Sequence, residues 1–163
     1  MSVIIEDIQG YVSGKVHYFF ATDCISADLQ CAQIVTDLIK KWFTDTLCIC
    51  LDNRGEIVTK LLSDAEKVAN AYIINQRKFD CDKVIERALK YIRRYSVGAI
   101  VICRADKLFK NNEPSSTMRK LEMLAEQQHM PVILIECYEI IIKIPTRTGF
   151  VLFDRAGIHF PPE

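Results

Sequence analysis

The chain has 163 residues, half of them hydrophobic, and its 21 lysines and arginines offset 21 aspartates and glutamates. That length supports one domain with a proper core rather than two. No apolar run approaches the roughly 18 residues that span a bilayer, and zero net charge excludes a global field drawing the chain to nucleic acid or acidic lipid.

Residues 1–14 carry one short apolar patch, Val3, Ile4 and Ile5, followed by turn-formers, and read as an N-terminal arm or edge element that includes Tyr11 and Val12. Residues 15–22, KVHYFFAT, are aromatic and β-favouring and predict a strand; Tyr18, Phe19 and Phe20, like Trp42 later, read as core. From Ser26, Leu29, Ala32, Ile34, Val35, Leu38, Ile39, Trp42 and Phe43 recur at three and four. This predicts an amphipathic helix with Ser26 as N-cap and Asp28 in its first turn. Residues 46–51, TLCICL, predict a buried strand with Cys48 and Cys50 on one face, ending in the turn cluster 52–55, DNRG. A helix over about 56–70 and a third strand over 71–74 follow.

Asp80 begins a helix whose stripe is Val84, Ile85, Ala88, Leu89, Ile92 and Tyr95, with acids at its start and Arg93 and Arg94 at its end. It feeds VGAIVICRADKLFK, residues 97–110. The uninterrupted run 99–103 reads as the central strand of a parallel sheet, covered on both faces. Chemistry in such sheets sits just past the carboxyl ends of the strands, here 104–110. Residues 114–128 predict a helix capped by Ser115 or Ser116 with Met118, Leu121, Leu124 and Ala125 inward, and 131–135 a fifth strand. Three short strands, 140–144, 149–153 and 157–160, are separated by turns and suggest an antiparallel meander on the sheet edge. Alternating strands and helices followed by strands alone imply a parallel sheet between helical layers.

A phosphate-binding loop after the first strand needs glycines for close backbone approach and a lysine. Residues 21–26, ATDCIS, supply neither, and Asp23 would repel a triphosphate. The seven cysteines form no CxxC pair and sit mostly in apolar runs, which argues against a disulfide framework and a zinc site. His17, His129 and His159 lack companion nucleophiles or ligands and read as local hydrogen-bonders. Asp106 reads as a solvated carboxylate paired loosely with Lys107 or Lys110. The first ten residues, MSVIIEDIQG, are not a secretion signal, so an intracellular, reducing setting is expected.

Four stretches carry a resemblance. CICLDNRG (48–55) resembles a strand ending in Asp-Thr-Glu-Gly. IVICRADKLFK (100–110) is similar to a strand with a magnesium-site aspartate followed by Leu-Phe-Arg. LEMLAEQQHMPVILIECY (121–138) is similar to a helix and strand ending in Thr-Asn-Gln, and FVLFDRAGI (150–158) to a closing hairpin. In that order they resemble the RecA-type recombinases, specifically their small eukaryotic accessory paralogues.

The resemblance implies an α/β fold, a RecA-like three-layer sandwich over 15–163, with a mostly parallel central sheet and a C-terminal antiparallel extension. The family's catalytic glutamate, magnesium aspartate and γ-phosphate-sensing glutamine correspond to Arg54, Cys103 and Cys137. It therefore implies a non-catalytic, ATPase-dead subunit without cofactor or metal that assists recombinase filaments in homologous recombination DNA repair in the nucleus. The implied partners are another recombinase paralogue or a SWIM-domain protein, the recombinase filament and single-stranded DNA. Candidate partner-binding residues are Val3, Ile4, Ile5, Tyr11, Val12, Thr22 and Asp23. Candidate DNA contacts are Lys107, Lys110, Lys143, Arg147 and Arg155.

Two other readings compete. A degenerate serine-recombinase catalytic domain is suggested by 106–110, DKLFK, and by Pro145-Thr146, but its first strand lacks the arginine and serine, leaving Thr22 as an unaided nucleophile. An RNA-binding α/β domain of the release-factor-relative type matches 84–160 loosely and leaves the first half unexplained.

Overall fold

A computed structural model describes residues 11–64, 70–137, 142–146, 149–154 and 157–159. In chain order these form β1 (Val16–Ala21), α1 (Cys24–Lys40), β2 (Thr46–Leu51), α2 (Gly55–Asp64), β3 (Ala71–Gln76), α3 (Cys81–Arg94) and β4 (Ala99–Cys103). The short α4 (Asp106–Asn111), α5 (Pro114–Gln128), β5 (Val132–Cys137), β6 (Ile142–Thr146), β7 (Gly149–Asp154) and β8 (Gly157–His159) complete the order.

The first five strands form one all-parallel sheet in the order β1-β5-β4-β2-β3, with β4 in the middle as its unbroken apolar run requires. Side chains alternate between two cores. Ile100 and Ile102 of β4, with Leu47, Ile49 and Leu51 of β2, pack under α3, α4 and α5. Ala99, Val101 and Cys103, with Cys48 and Cys50, face α1 and α2 on the other side. Burying each large aliphatic contributes about 1.5–3 kcal/mol, so this double-sided burial outweighs weak local preferences. Gly98 leads into β4 where a Cβ would stand 2.9 Å from Thr44 Cγ2, while its N–H donates to the Asp45 carbonyl at 2.8 Å.

Local details depart from the sequence reading where tertiary contacts decide. The N-cap of α1 is Asp23, not Ser26, and α1 ends at Lys40, leaving Phe43 87% exposed at a left-handed φ of 51°. Leu29 of the expected apolar stripe is exposed, and Asp28, which the reading placed in the first turn, is buried. Tyr18 and Phe20, read as core, are exposed on β1, while Phe19 between them packs inward, because an edge strand covers only one face well. Glu113 caps α5 in place of Ser115 or Ser116, its carboxylate accepting from the Ser116 N–H at 2.7 Å. The predicted helix over 56–70 is seen as α2 to Asp64, and residues 65–69 lie outside the described residues. Strands β6, β7 and β8 form the expected antiparallel meander, but as a sheet of their own rather than an extension of the parallel one.

Candidate functional site

The carboxyl ends of β1, β2, β4 and β5 converge on one cluster of charges. β1 passes through Thr22 to Asp23, whose carboxylate accepts from the Ser26 N–H at 2.7 Å and the Ser26 hydroxyl at 3.1 Å. A helix N-terminus presents unpaired N–H groups and a partial positive charge. Here the chain's own carboxylate takes that place.

β4 leaves the sheet at Arg104, which is buried and holds φ at 65°, a left-handed geometry costing an arginine about 1–2 kcal/mol. Compensation comes from Asp106, the first residue of α4. The Arg104 Nε and Nη2 groups donate to Asp106 Oδ1 and Oδ2, each at 3.3 Å, a fork-to-fork pair. Arg104 Nη1 reaches Cys24 Sγ at 3.0 Å and Asp52 Oδ2 at 3.8 Å, tying α1 and the turn after β2 to the same guanidinium. Asp106 Oδ1 also accepts from the Cys137 N–H at 2.9 Å, at the end of β5. Burial by itself would weaken the guanidinium's hold on its proton; the Asp106 hydrogen bonds and charge outweigh it and raise the pKa. Lys107 Nζ lies 3.5 Å from Asp52 Oδ2.

Beside this set, Asp28 of α1 is 3% exposed. Its Oδ2 lies 3.6 Å from Arg54 Nη1, and Cys103 Sγ donates to its Oδ1 at 3.7 Å. Burial pushes the Asp28 carboxyl up, against the opposing pull of Arg54. The Arg54 Nε and Asn75 Oδ1 are buried polar atoms without a partner at the edge of the cluster. Three carboxylates, Asp28, Asp52 and Asp106, thus meet three cations, Arg54, Arg104 and Lys107, and the strand ends are neutralised from within.

Of the predicted partner-binding residues, Thr22 and Asp23 lie exposed in the loop after β1. Tyr11 packs on the α1 side of the core against the rings of His17 and Phe19, and the Val12 N–H donates to His17 Nε2 at 2.9 Å. Val3, Ile4 and Ile5 lie outside the described residues. Among the predicted DNA contacts, Lys107 is held by Asp52, Lys110 belongs to α4 and Lys143 to β6, while Arg147 and Arg155 lie outside the described residues. Asp106 is not the solvated carboxylate expected; its side chain is 11% exposed and bound on two sides. Arg104, Asp28 and Cys24 were the missed members of the cluster. The available signal was the Arg-x-Asp spacing directly after the central strand.

Among the described residues no group of three or more His, Cys, Asp or Glu is arranged to hold a metal, and no helix is long and apolar enough to cross a membrane. The nearest approach is sulfur on sulfur: Cys48 Sγ lies 3.4 Å from Cys31 Sγ and 3.7 Å from Cys50 Sγ, buried beneath α1.

A parallel sheet in this strand order, with helices on both faces, is the RecA-like α/β fold. The crystal structure of the KaiC-like protein PH0186 from the hyperthermophilic archaeon Pyrococcus horikoshii OT3 aligns with the chain at a TM-score of 0.63, covering 94% of this chain and 92% of that one. Identity over the alignment is 10%, so the likeness is one of fold. No known family profile and no curated protein sequence matches the chain.

Proposed function

We propose that the chain is an ATPase-dead RecA-like subunit, related to the recombinase paralogues, that acts by binding other proteins and assists recombinase filaments in homologous recombination repair in the nucleus. The observation that carries the reading is the Arg104–Asp106 pair at the end of the central strand, 3.3 Å at both contacts, flanked by Asp52 and Cys24. A triphosphate bound there with magnesium needs open N–H groups at a helix N-terminus, unspent cations and an open carboxylate. Asp23 occupies the first, while Asp28 and Asp106 each carry a guanidinium. Arg54 and Cys103 stand where the resemblance places the catalytic glutamate and the magnesium aspartate, and both face Asp28.

On this reading two separate regions contact the partner: the loop residues Thr22 and Asp23 on the face that would bind nucleotide, and the N-terminal arm with Val3, Ile4, Ile5, Tyr11 and Val12. The partner is another recombinase paralogue or a SWIM-domain protein. The test is affinity purification of the tagged full chain from native extract, with a Thr22→Arg, Asp23→Arg variant in parallel. Recovery of a recombinase paralogue or SWIM-domain protein by the wild type and its loss from the variant is the expected result. Recovery of ribosomal factors, or of nothing that the variant loses, would overturn the reading.

A further inference from the structure

The helix α3 carries a second feature that the strand-end cluster does not use. Lys83, Arg87, Lys90 and Arg94 recur at spacings of four, three and four, which places all four cations on one stripe of the helix. They line a surface cavity of about 370 Å³ between α3 and the end of β3, toward the low end of the size range of ligand pockets. Glu86 is the one carboxylate in its wall. Among the described residues, Lys83 and Lys90 make no ion pair. Arg87 Nη1 donates to the Asn75 carbonyl at 2.9 Å and to Gln76 Oε1 at 3.0 Å, which pins its guanidinium in the cavity wall.

The same wall holds Tyr91 and Tyr95. Their ring centroids are 5.6 Å apart; Tyr95 stacks on Tyr72 of β3 at 4.7 Å with an interplanar angle of 24°, and Arg94 lies 5.8 Å from the Tyr95 centroid. Tyr95 is 37% exposed. A row of cations beside an exposed aromatic ring, here Tyr95 backed by the half-buried Tyr91, is the chemistry that binds single-stranded nucleic acid: cations meet the phosphates and the ring meets a base face. An acidic protein segment would use the cations and leave the rings without a matched partner.

We propose that the α3–β3 face is a binding site for single-stranded nucleic acid, with Lys83, Lys90 and Arg94 contacting phosphates and Tyr95 stacking a base. The site uses none of the loop cations expected from the sequence. It stands or falls separately from the reading of the strand ends, because it involves none of their residues.

The test is fluorescence anisotropy of the full chain with a labelled oligothymidine of about twenty nucleotides, over a salt series from about 50 to 200 mM. Wild type is expected to bind. The Lys83→Glu, Lys90→Glu double variant should raise Kd about tenfold or more and flatten the salt dependence by about 1.4 in log–log slope, for two lost contacts to a single strand. Tyr95→Ala should weaken binding by about tenfold, and Tyr95→Phe should retain it. Lys41→Glu, one such charge reversal placed beyond α1 on the opposite side of the sheet, should stay within about twofold. Because Tyr95 also packs on Tyr72, the exposed lysine pair is the deciding variant. Absence of wild-type binding at low salt, equal binding by the double variant, or equal competition by polyglutamate and unlabelled oligothymidine would overturn the proposal.

Discussion

Replacing Asp106 by alanine removes the acceptors of Arg104 Nε and Nη2, both at 3.3 Å, and the acceptor of the Cys137 N–H at 2.9 Å. The guanidinium, 7% exposed, is left with Cys24 Sγ and with Asp52, which is 3.8 Å away and 39% exposed. Removing one partner of a buried pair costs about 3–5 kcal/mol, and stranding a buried N–H costs about 1–3 kcal/mol more. Asp52 recovers part of this, so a net loss of about 3 kcal/mol follows. In a chain of this length each kcal/mol moves Tm by about 2–4 °C, so Asp106→Ala should melt about 6–12 °C below wild type. Asp106→Asn keeps an acceptor for the Cys137 N–H and should lose about half as much. Arg104→Met removes the charge together with its need for a partner and should also lose less. Thermal and urea melts followed by circular dichroism decide between these. An Asp106→Ala protein melting within about 2 °C of wild type would refute the reasoning, since the pair would then be worth no more than a surface contact.

Three further outcomes follow from the same structure. Burial holds the His17 imidazole below its ordinary 6.5, so the folded state takes up the proton less readily than the unfolded state. The stability this gives is complete above the unfolded value and is lost as pH falls through the lower folded one. His17→Gln, which keeps an acceptor for the Val12 N–H, should lose less Tm than wild type between about pH 7 and pH 5; equal losses would contradict this. Gly98→Ala should cost about 1–3 kcal/mol in a urea titration because its Cβ meets Thr44 Cγ2 at 2.9 Å, and adding Thr44→Ser, which deletes that methyl, should restore most of it. Of the seven cysteines only Cys24 is not buried, so a thiol reagent should modify about one equivalent quickly in the native protein and the rest on unfolding. Rapid modification of several would show a looser core.

Where burial follows from an uninterrupted apolar run, the sequence was sufficient. Residues 99–103 had to be the middle strand because no amphipathic position in them could face water, and β4 is buried throughout. Helical spacing was less informative. Counting threes and fours sweeps in Leu29, which stands nine residues from Leu38 and so half a turn round at 3.6 residues per turn, on the outer face of α1, and Leu29 is exposed. Asp106 reads as solvated because a charge after a strand usually is, and Arg104 carries no reading of its own beyond its place past the central strand. Their burial depends on a left-handed turn at Arg104 and on Cys24, 80 positions away in sequence, which no local pattern encodes. The six-residue α4 is too short to show a period. The C-terminal meander was legible from its turns, whereas its separation from the parallel sheet depends on pairing that turn chemistry does not fix.

The chain's own paired charges fill the strand ends, and the proposal made above is that no nucleotide binds there. It is tested most directly by melting the full chain with and without magnesium-ATP at about 5 mM, since a ligand at a hundred times its Kd would add about 2.7 kcal/mol. An unchanged Tm is predicted. A rise of about 5 °C or more, abolished by Asp52→Ala, would contradict the account.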